Sequence, residues 1–158
     1  MTPILPILQT LDQIISAIPE PRQIETLLEF GTQEFGMQVG ILSRIQGHVY
    51  TVEHFYPDNA GLFKGQTFDF NATYCSITLG LRRPTSIHHM QNSEYHQHPC
   101  YDIFHLESYI GVPLYVHGQL YGTLNFSSLE PGVLPFTAID RSLMEVLAYR
   151  AALILEPR

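Results

Sequence analysis

The residues with the most chemical reach lie close together. Between positions 88 and 105 the chain carries His88, His89, Tyr95, His96, His98, Cys100, Tyr101 and His105, which places five of its eight histidines in one segment. A second thiol, Cys75, stands upstream in TYCS. Two thiols and several imidazoles are donors of the kind that hold zinc or iron. Cys75, His89, His98 and Cys100 are therefore candidate ligands for a metal, an iron–sulfur centre or a haem. The spacing gives this little support. There is no Cys-x-x-Cys and no His-x-x-x-His, His96-x-His98 is a weak pair, and the four ligands would have to converge from separate segments. The same residues can also serve packing alone: His, Tyr and Asn satisfy backbone groups in long ordered loops, and a buried free cysteine behaves as a small hydrophobe. The residue types leave both uses open.

Composition narrows the classes. A chain of 158 residues that is 45% hydrophobic is long enough to bury a sizeable core as one domain. Its net charge is -7 and its only lysine is Lys64, so no basic patch is available for a phosphate backbone, and nucleic-acid binding is not expected. No apolar run reaches the roughly 18–20 residues of a membrane span. The N-terminus lacks a basic stretch and contains Asp12, which is unlike a signal peptide. Two cysteines are too few for a disulfide scaffold and suit a reducing compartment, so a cytoplasmic location is expected.

The elements that must position the cluster follow from periodicity. Ile4, Leu8, Leu11, Ile15 and Ile18 form a helical stripe, with Ile7 and Ile14 as a second apolar edge and Pro19-Glu20-Pro21 as its stop. A second helix runs from about Gln23 to Phe35 and ends at Gly36. From Val39 the period becomes two: VGILSRIQ and HVYTVEHFY pair around Gln46-Gly47, and a loop leads to a short strand, QTFDF. NATYCSITLGLR reads as a short helix capped by Asn71 or Thr73 and ended by Gly80, and PTSIHH as another short strand. MQNSEYHQHPCYDIFHLE is a polar, aromatic loop with a helical turn.

The strongest pattern is YIGVPLYVHGQLYGTLNFSS, two alternating runs around a His117-Gly118 turn. Gly122 marks close backbone approach, and Pro113 marks a bulge or an edge. Thr137 with Asp140 forms a capping box that starts the last helix. That helix carries two stripes, Ile139-Leu143-Val146-Arg150-Ile154 and Met144-Ala148-Ala151-Leu155. One stripe suffices to cover a sheet, so the second predicts a homodimer through the terminal helices.

This order of elements resembles a GAF domain, and the resemblance covers nearly the whole chain. It is most specific in YIGVPLYVHGQLYGTLNFSS and PFTAIDRSLMEVLA. TYCSITL, IHHM, SEY and HPCY are similar to a subset found in bacterial sensor histidine kinases and related signalling proteins. The resemblance implies an α+β fold (an α/β sandwich): a central antiparallel sheet, N- and C-terminal helices on one face, and a ligand-pocket loop on the other. It implies one domain over 1–158, with helices at 4–36, sheet and pocket loops at 39–128 and a closing helix at 137–156. The pocket would lie between the TYCS helix, the HPCY loop and the strand Thr123–Phe126. Its ligand-binding candidates are Tyr74, Cys75, Ser76, His89, Tyr95, His98, Cys100, Tyr101 and Asn125.

Two enzymatic or chromophoric variants of the family bear on this segment. The free methionine sulfoxide reductases carry cysteines in places similar to Cys75 and Cys100. Here, however, the first cysteine is flanked by Tyr74 and Ser76 rather than glycine, and the acidic residues of the last strand are replaced by Asn125 and Ser127. Glu107 stands near that family's upstream glutamate. Cyanobacteriochrome domains attach a bilin at a Cys-His pair, whereas Cys100 precedes Tyr101. The expectation is a non-catalytic sensory domain that binds a small molecule of unknown identity. It would pass its signal to a partner protein or a fused effector domain.

Overall fold

The computed structural model describes residues 4–17 and 22–156. Two helices, α1 (Ile4–Ser16) and α2 (Gln23–Phe35), precede strands β1 (Val39–Gln46), β2 (Val49–Tyr56) and β3 (Thr67–Asp69). Then come α3 (Cys75–Leu81), β4 (Thr85–Ile87), α4 (Pro99–Phe104), the hairpin β5 (Ser108–Val116) and β6 (Gln119–Ser128), and α5 (Ala138–Leu155). Ile18 and the Pro19-Glu20-Pro21 stop fall outside the described residues.

The strands form one six-stranded sheet in the order β3-β2-β1-β6-β5-β4, with every pairing antiparallel. The hairpin turns at His117 and Gly118, both at positive φ (53° and 72°), as a two-residue turn of this hand requires. Gly122 is where β6 meets β1 most closely, since a Cβ there would collide with the Ser43 carbonyl. β4 stops at its Thr85–Gly111 pair, so β5 is an edge from Val112 onward. Pro113 sits there, just before a register shift at Leu114/Tyr115.

Strand alternation gives each face its own layer. In register across three strands, Leu42, Leu124 and Val112 point to one side. Together with Ile110, Leu114 and Phe126 they meet Leu11, Leu27, Leu28, Leu143 and Leu147 of α1, α2 and α5 in a fully aliphatic and aromatic core. On the other side Ile41, Asn125 and Gly111 align, flanked by Thr123 and Ser127. That face is covered by α3 and α4, in a layer built from Tyr50, Val52, Tyr74, Cys75, Met90, Cys100 and Tyr109.

Three expectations about helices change. Neither Asn71 nor Thr73 caps α3. The Thr73 hydroxyl donates to the Phe70 carbonyl (2.8 Å), which closes a 3-10 turn that Asp69 caps, and Tyr74 occupies the N-cap position with no side-chain bond. Gly80 lies inside α3, and the helix ends at Arg82 in a left-handed conformation. The second stripe of α5 is not surplus either. Met144, Ala148 and Ala151 are buried in the chain's own core, and Arg150 pairs with Asp12 of α1 at 2.7 Å. The large apolar side chains left exposed here are Tyr149 and Leu153 on α5 and Leu5 and Ile14 on α1. The Thr137–Asp140 capping box forms as expected.

Candidate functional site

The layer between the sheet and α3–α4 is not filled. A cavity of about 200 Å³ opens there. Its floor is sheet: Ile41, Tyr50, Tyr109, Asn125 and Ser127. Thr73, Tyr74 and Cys75 form one wall at the start of α3. Cys100 and Phe104 of α4, with Leu106, form another, and Ala60, Leu62 and Phe68 close a third. Phe68 and Phe104 meet edge to face, ring centres 5.3 Å apart. None of the lining side chains is charged.

At the floor the polar groups form one network. Thr123 Oγ1 lies 3.0 Å from Cys75 Sγ and 2.7 Å from Ser43 Oγ. The two hydrogens of the Asn125 amide Nδ2 are shared among Tyr50 Oη (3.3 Å), Cys75 Sγ (3.4 Å) and Thr123 Oγ1 (3.4 Å). Tyr109 Oη donates to Cys75 Sγ (3.4 Å) and lies 2.8 Å from Thr78 Oγ1. Burial pushes the Cys75 thiol up and the Cys100 thiol to about 12, and it holds the Tyr50 and Tyr109 hydroxyls well above their usual range. At neutral pH both thiols are protonated, the less nucleophilic form.

A second set of bonds fastens α4 over the cavity. His98 N-caps α4: its Nδ1 accepts from the Cys100 N–H (3.0 Å), and its Nε2 lies 2.8 Å from Ser76 Oγ. Ser76 Oγ donates to the Thr73 carbonyl (2.8 Å), so the imidazole is the neutral Nε2–H tautomer donating to serine. That arrangement is the reverse of a nucleophile–base pair, in which the serine would donate to the imidazole. Burial lowers the His98 pKa and favours the neutral form. Tyr101 Oη donates to Glu107 Oε2 (2.6 Å), and Glu107 Oε1 accepts from the Gln91 N–H (3.1 Å). Both carboxylate oxygens therefore hold the loop.

The nine residues singled out in the sequence separate into three groups. Tyr74, Cys75, Cys100 and Asn125 line the cavity. Ser76, His98 and Tyr101 fasten its cover from behind. His89 accepts from Asn92 and, with Tyr95, borders a separate surface concavity. The set Cys75, His89, His98 and Cys100 is not gathered: among the described residues no three His, Cys, Asp or Glu side chains converge as a metal site, and both His98 nitrogens are engaged. Sequence reasoning took the strand Thr123–Phe126 as a pocket wall without singling out Thr123, and it missed Tyr50 and Tyr109. Thr123 shares the parity of Asn125 on one strand, a legible signal; the two tyrosines needed the strand register.

The sequence matches the family model of the GAF domain over residues 22–155. The fold is similar to the GAF domain of a phosphoenolpyruvate-protein phosphotransferase from Acinetobacter, at TM-score 0.76 and 13% identity over 98% of this chain and 94% of that one. It is also similar to the free methionine-R-sulfoxide reductase of Neisseria meningitidis, solved with its substrate, at TM-score 0.70 and 13% identity over 94% of this chain and 85% of that one. A third similar structure is the GAF domain of a two-component sensor histidine kinase from Bacillus halodurans, at TM-score 0.58 and 14% identity over 83% and 92%. Among curated proteins, none matches the sequence. No helix among the described residues is long and apolar enough to cross a membrane.

Proposed function

Since this chain belongs to the GAF domain family, we propose that it is a non-catalytic sensory module that holds a small ligand between its sheet and the α3–α4 layer. The observation that carries this reading is the cavity itself: an unfilled, largely apolar space whose few polar groups converge on one spot, the character of a ligand site. Tyr74, Cys75, Cys100 and Asn125 would touch the ligand. Ser76, His98 and Tyr101 would hold the cover through which it enters. Ligand-dependent rearrangement of α4 and the loop before it would then bias the helices on the other face, provided the ligand binds one arrangement better than the other.

The thiol-enzyme alternative draws little support from Cys75 and Cys100. Both are buried and protonated at neutral pH, and among the described residues no imidazole or carboxylate hydrogen-bonds either sulfur; His98 Nδ1 is taken by the Cys100 backbone N–H. A linear tetrapyrrole would have to extend well outside a cavity of about 200 Å³, and Cys100 is not followed by histidine. Pairing of two copies through Leu5, Ile14, Tyr149 and Leu153 remains part of the proposal, as do a cytoplasmic setting and a partner or fused effector that receives the signal. Light scattering on the purified chain tests the pairing, and a monomer overturns it.

The ligand reading is tested by a thermal-shift screen of neutral, anionic and cationic metabolite-sized compounds, with hits followed by NMR of the cavity side chains. The expected result is at least one compound that raises Tm and moves the Asn125 side-chain amide. If no compound of any charge class moves that resonance, the cavity is not a ligand site.

A further inference from the structure

We infer that the cavity is built for an uncharged molecule of one or two fused aromatic rings that donates one hydrogen bond, from N–H or O–H, to Asn125 Oδ1; this rests on the cavity being a ligand site, as proposed above. Size sets the first limit. About 200 Å³ is somewhat more than the roughly 150 Å³ that accommodates benzene, so one ring with a substituent or two fused rings fill it. The walls set the shape. Phe68, Tyr74, Phe104 and Tyr109 surround the space with aromatic faces and edges, which favour a flat ring in offset or edge-on contact.

Charge is excluded by what the lining lacks. No Asp, Glu, Lys, Arg or His side chain reaches the cavity, so an ionised guest would be stripped of water with no counter-charge to meet it. Asn125 sets the direction of the polar contact. It is only 4% exposed, and its Nδ2 is committed to Tyr50, Cys75 and Thr123. Among the described residues no group donates to its Oδ1. Asn125 lines the cavity, and its Oδ1 is not among the sealed side-chain atoms left without a partner, so it is open to the cavity space, where a guest that supplies a donor gains a hydrogen bond.

Four probes test this: indole, 3-methylindole, 1-methylindole and indole-3-carboxylate, titrated while the Asn125 side-chain amide resonance is followed. The two methylindoles have the same size, and only the first of them keeps the N–H. The expected order places 3-methylindole at least about tenfold tighter than 1-methylindole, the loss of a little more than one hydrogen bond's net worth. Indole-3-carboxylate is expected not to bind. In Asn125→Ala the two methylindoles should converge. If that variant does not fold, the wild-type pair still decides. Equal affinity of the methylindoles overturns the role of Asn125 Oδ1. Tighter binding of the carboxylate overturns the uncharged class while leaving the cavity a ligand site. If none of the four moves the resonance at millimolar concentration, the aromatic class is wrong, and the broader screen decides separately whether the cavity binds anything.

Discussion

The two faces of the sheet are built to different standards. The helix face is packed mainly with Leu, Ile, Val and Phe side chains, and its polar groups lie on α2, where the Thr32 hydroxyl donates to the Glu29 carbonyl and Glu25 Oε2 has no partner among the described residues. The cavity face mixes tyrosines, thiols, a threonine and an asparagine around open space. Close packing contributes stability, and a void forgoes it, because the atoms lining a gap lack contact partners. The chain therefore concentrates its packing on the side of α1, α2 and α5 and keeps the other side incomplete.

Substitution should expose that asymmetry most strongly at β6, whose residues alternate between the two faces. Phe126→Ala, on the helix face, is expected to cost about 3–5 kcal/mol in urea unfolding. Thr123→Val, three residues away on the cavity face, removes the hydroxyl shared by Ser43 and Cys75 and should cost about 1–2 kcal/mol. Equal losses would mean that the faces are equally packed and that the contrast is wrong.

The next effect is on thiol reactivity. With its pKa near 12 against an ordinary value of about 8.5, Cys100 should be alkylated by iodoacetamide at neutral pH about 10³-fold more slowly than in the unfolded chain. Labelling at the unfolded rate would show that the cavity face is open to water and its thiols ionise freely.

The smallest effect is a pH dependence set by His98. Burial lowers its pKa, so the folded state disfavours the proton that the unfolded state takes up near the ordinary value of about 6.5. Its contribution is fully present above that value and is lost as pH falls below it, levelling off beneath the folded pKa. The loss should disappear in His98→Asn, which keeps an N-cap acceptor without the titration. Glu25 acts lower on the scale. Burial raises its carboxyl, but the hydrogen bond and charge of His54 outweigh that and hold it below the ordinary carboxylate value, so its contribution falls away only at more acid pH. If wild type and His98→Asn lose stability identically between pH 7 and pH 5, measured as the urea midpoint, His98 is not the fastening that couples α3 to α4.

Much of this was legible in the sequence, and the reasons differ by residue. The hairpin, α2 and β1–β2 were readable because alternation and turn chemistry agree locally at His117-Gly118, Gly36 and Gly47. Asn125 was readable as a polar side chain within an apolar strand. Tyr50 and Tyr109 were not, because their meeting with Asn125 depends on strand register and on α3 covering that face, and no local pattern encodes either. His98 was identified as a candidate donor to a ligand or metal; it turned out to be a helix cap, a use that its position before Pro99 signals in retrospect. The second stripe of α5 was misread because the width of the surface it must cover, which includes α1 and α2 as well as the sheet, is a tertiary quantity.

A consequence follows from β6 lying at the middle of the sheet. Thr123, Asn125 and Ser127 point to the cavity side of the sheet, the last two lining it, while Leu124 and Phe126 face the helices, so one stretch of backbone is a party wall between two rooms. Were the proposed guest to rock that wall about its long axis, Asn125 would swing one way and Phe126 the other, against Gly31 and Phe35 of α2. Under the proposed reading, occupancy would not have to travel: the same movement would reach the far side.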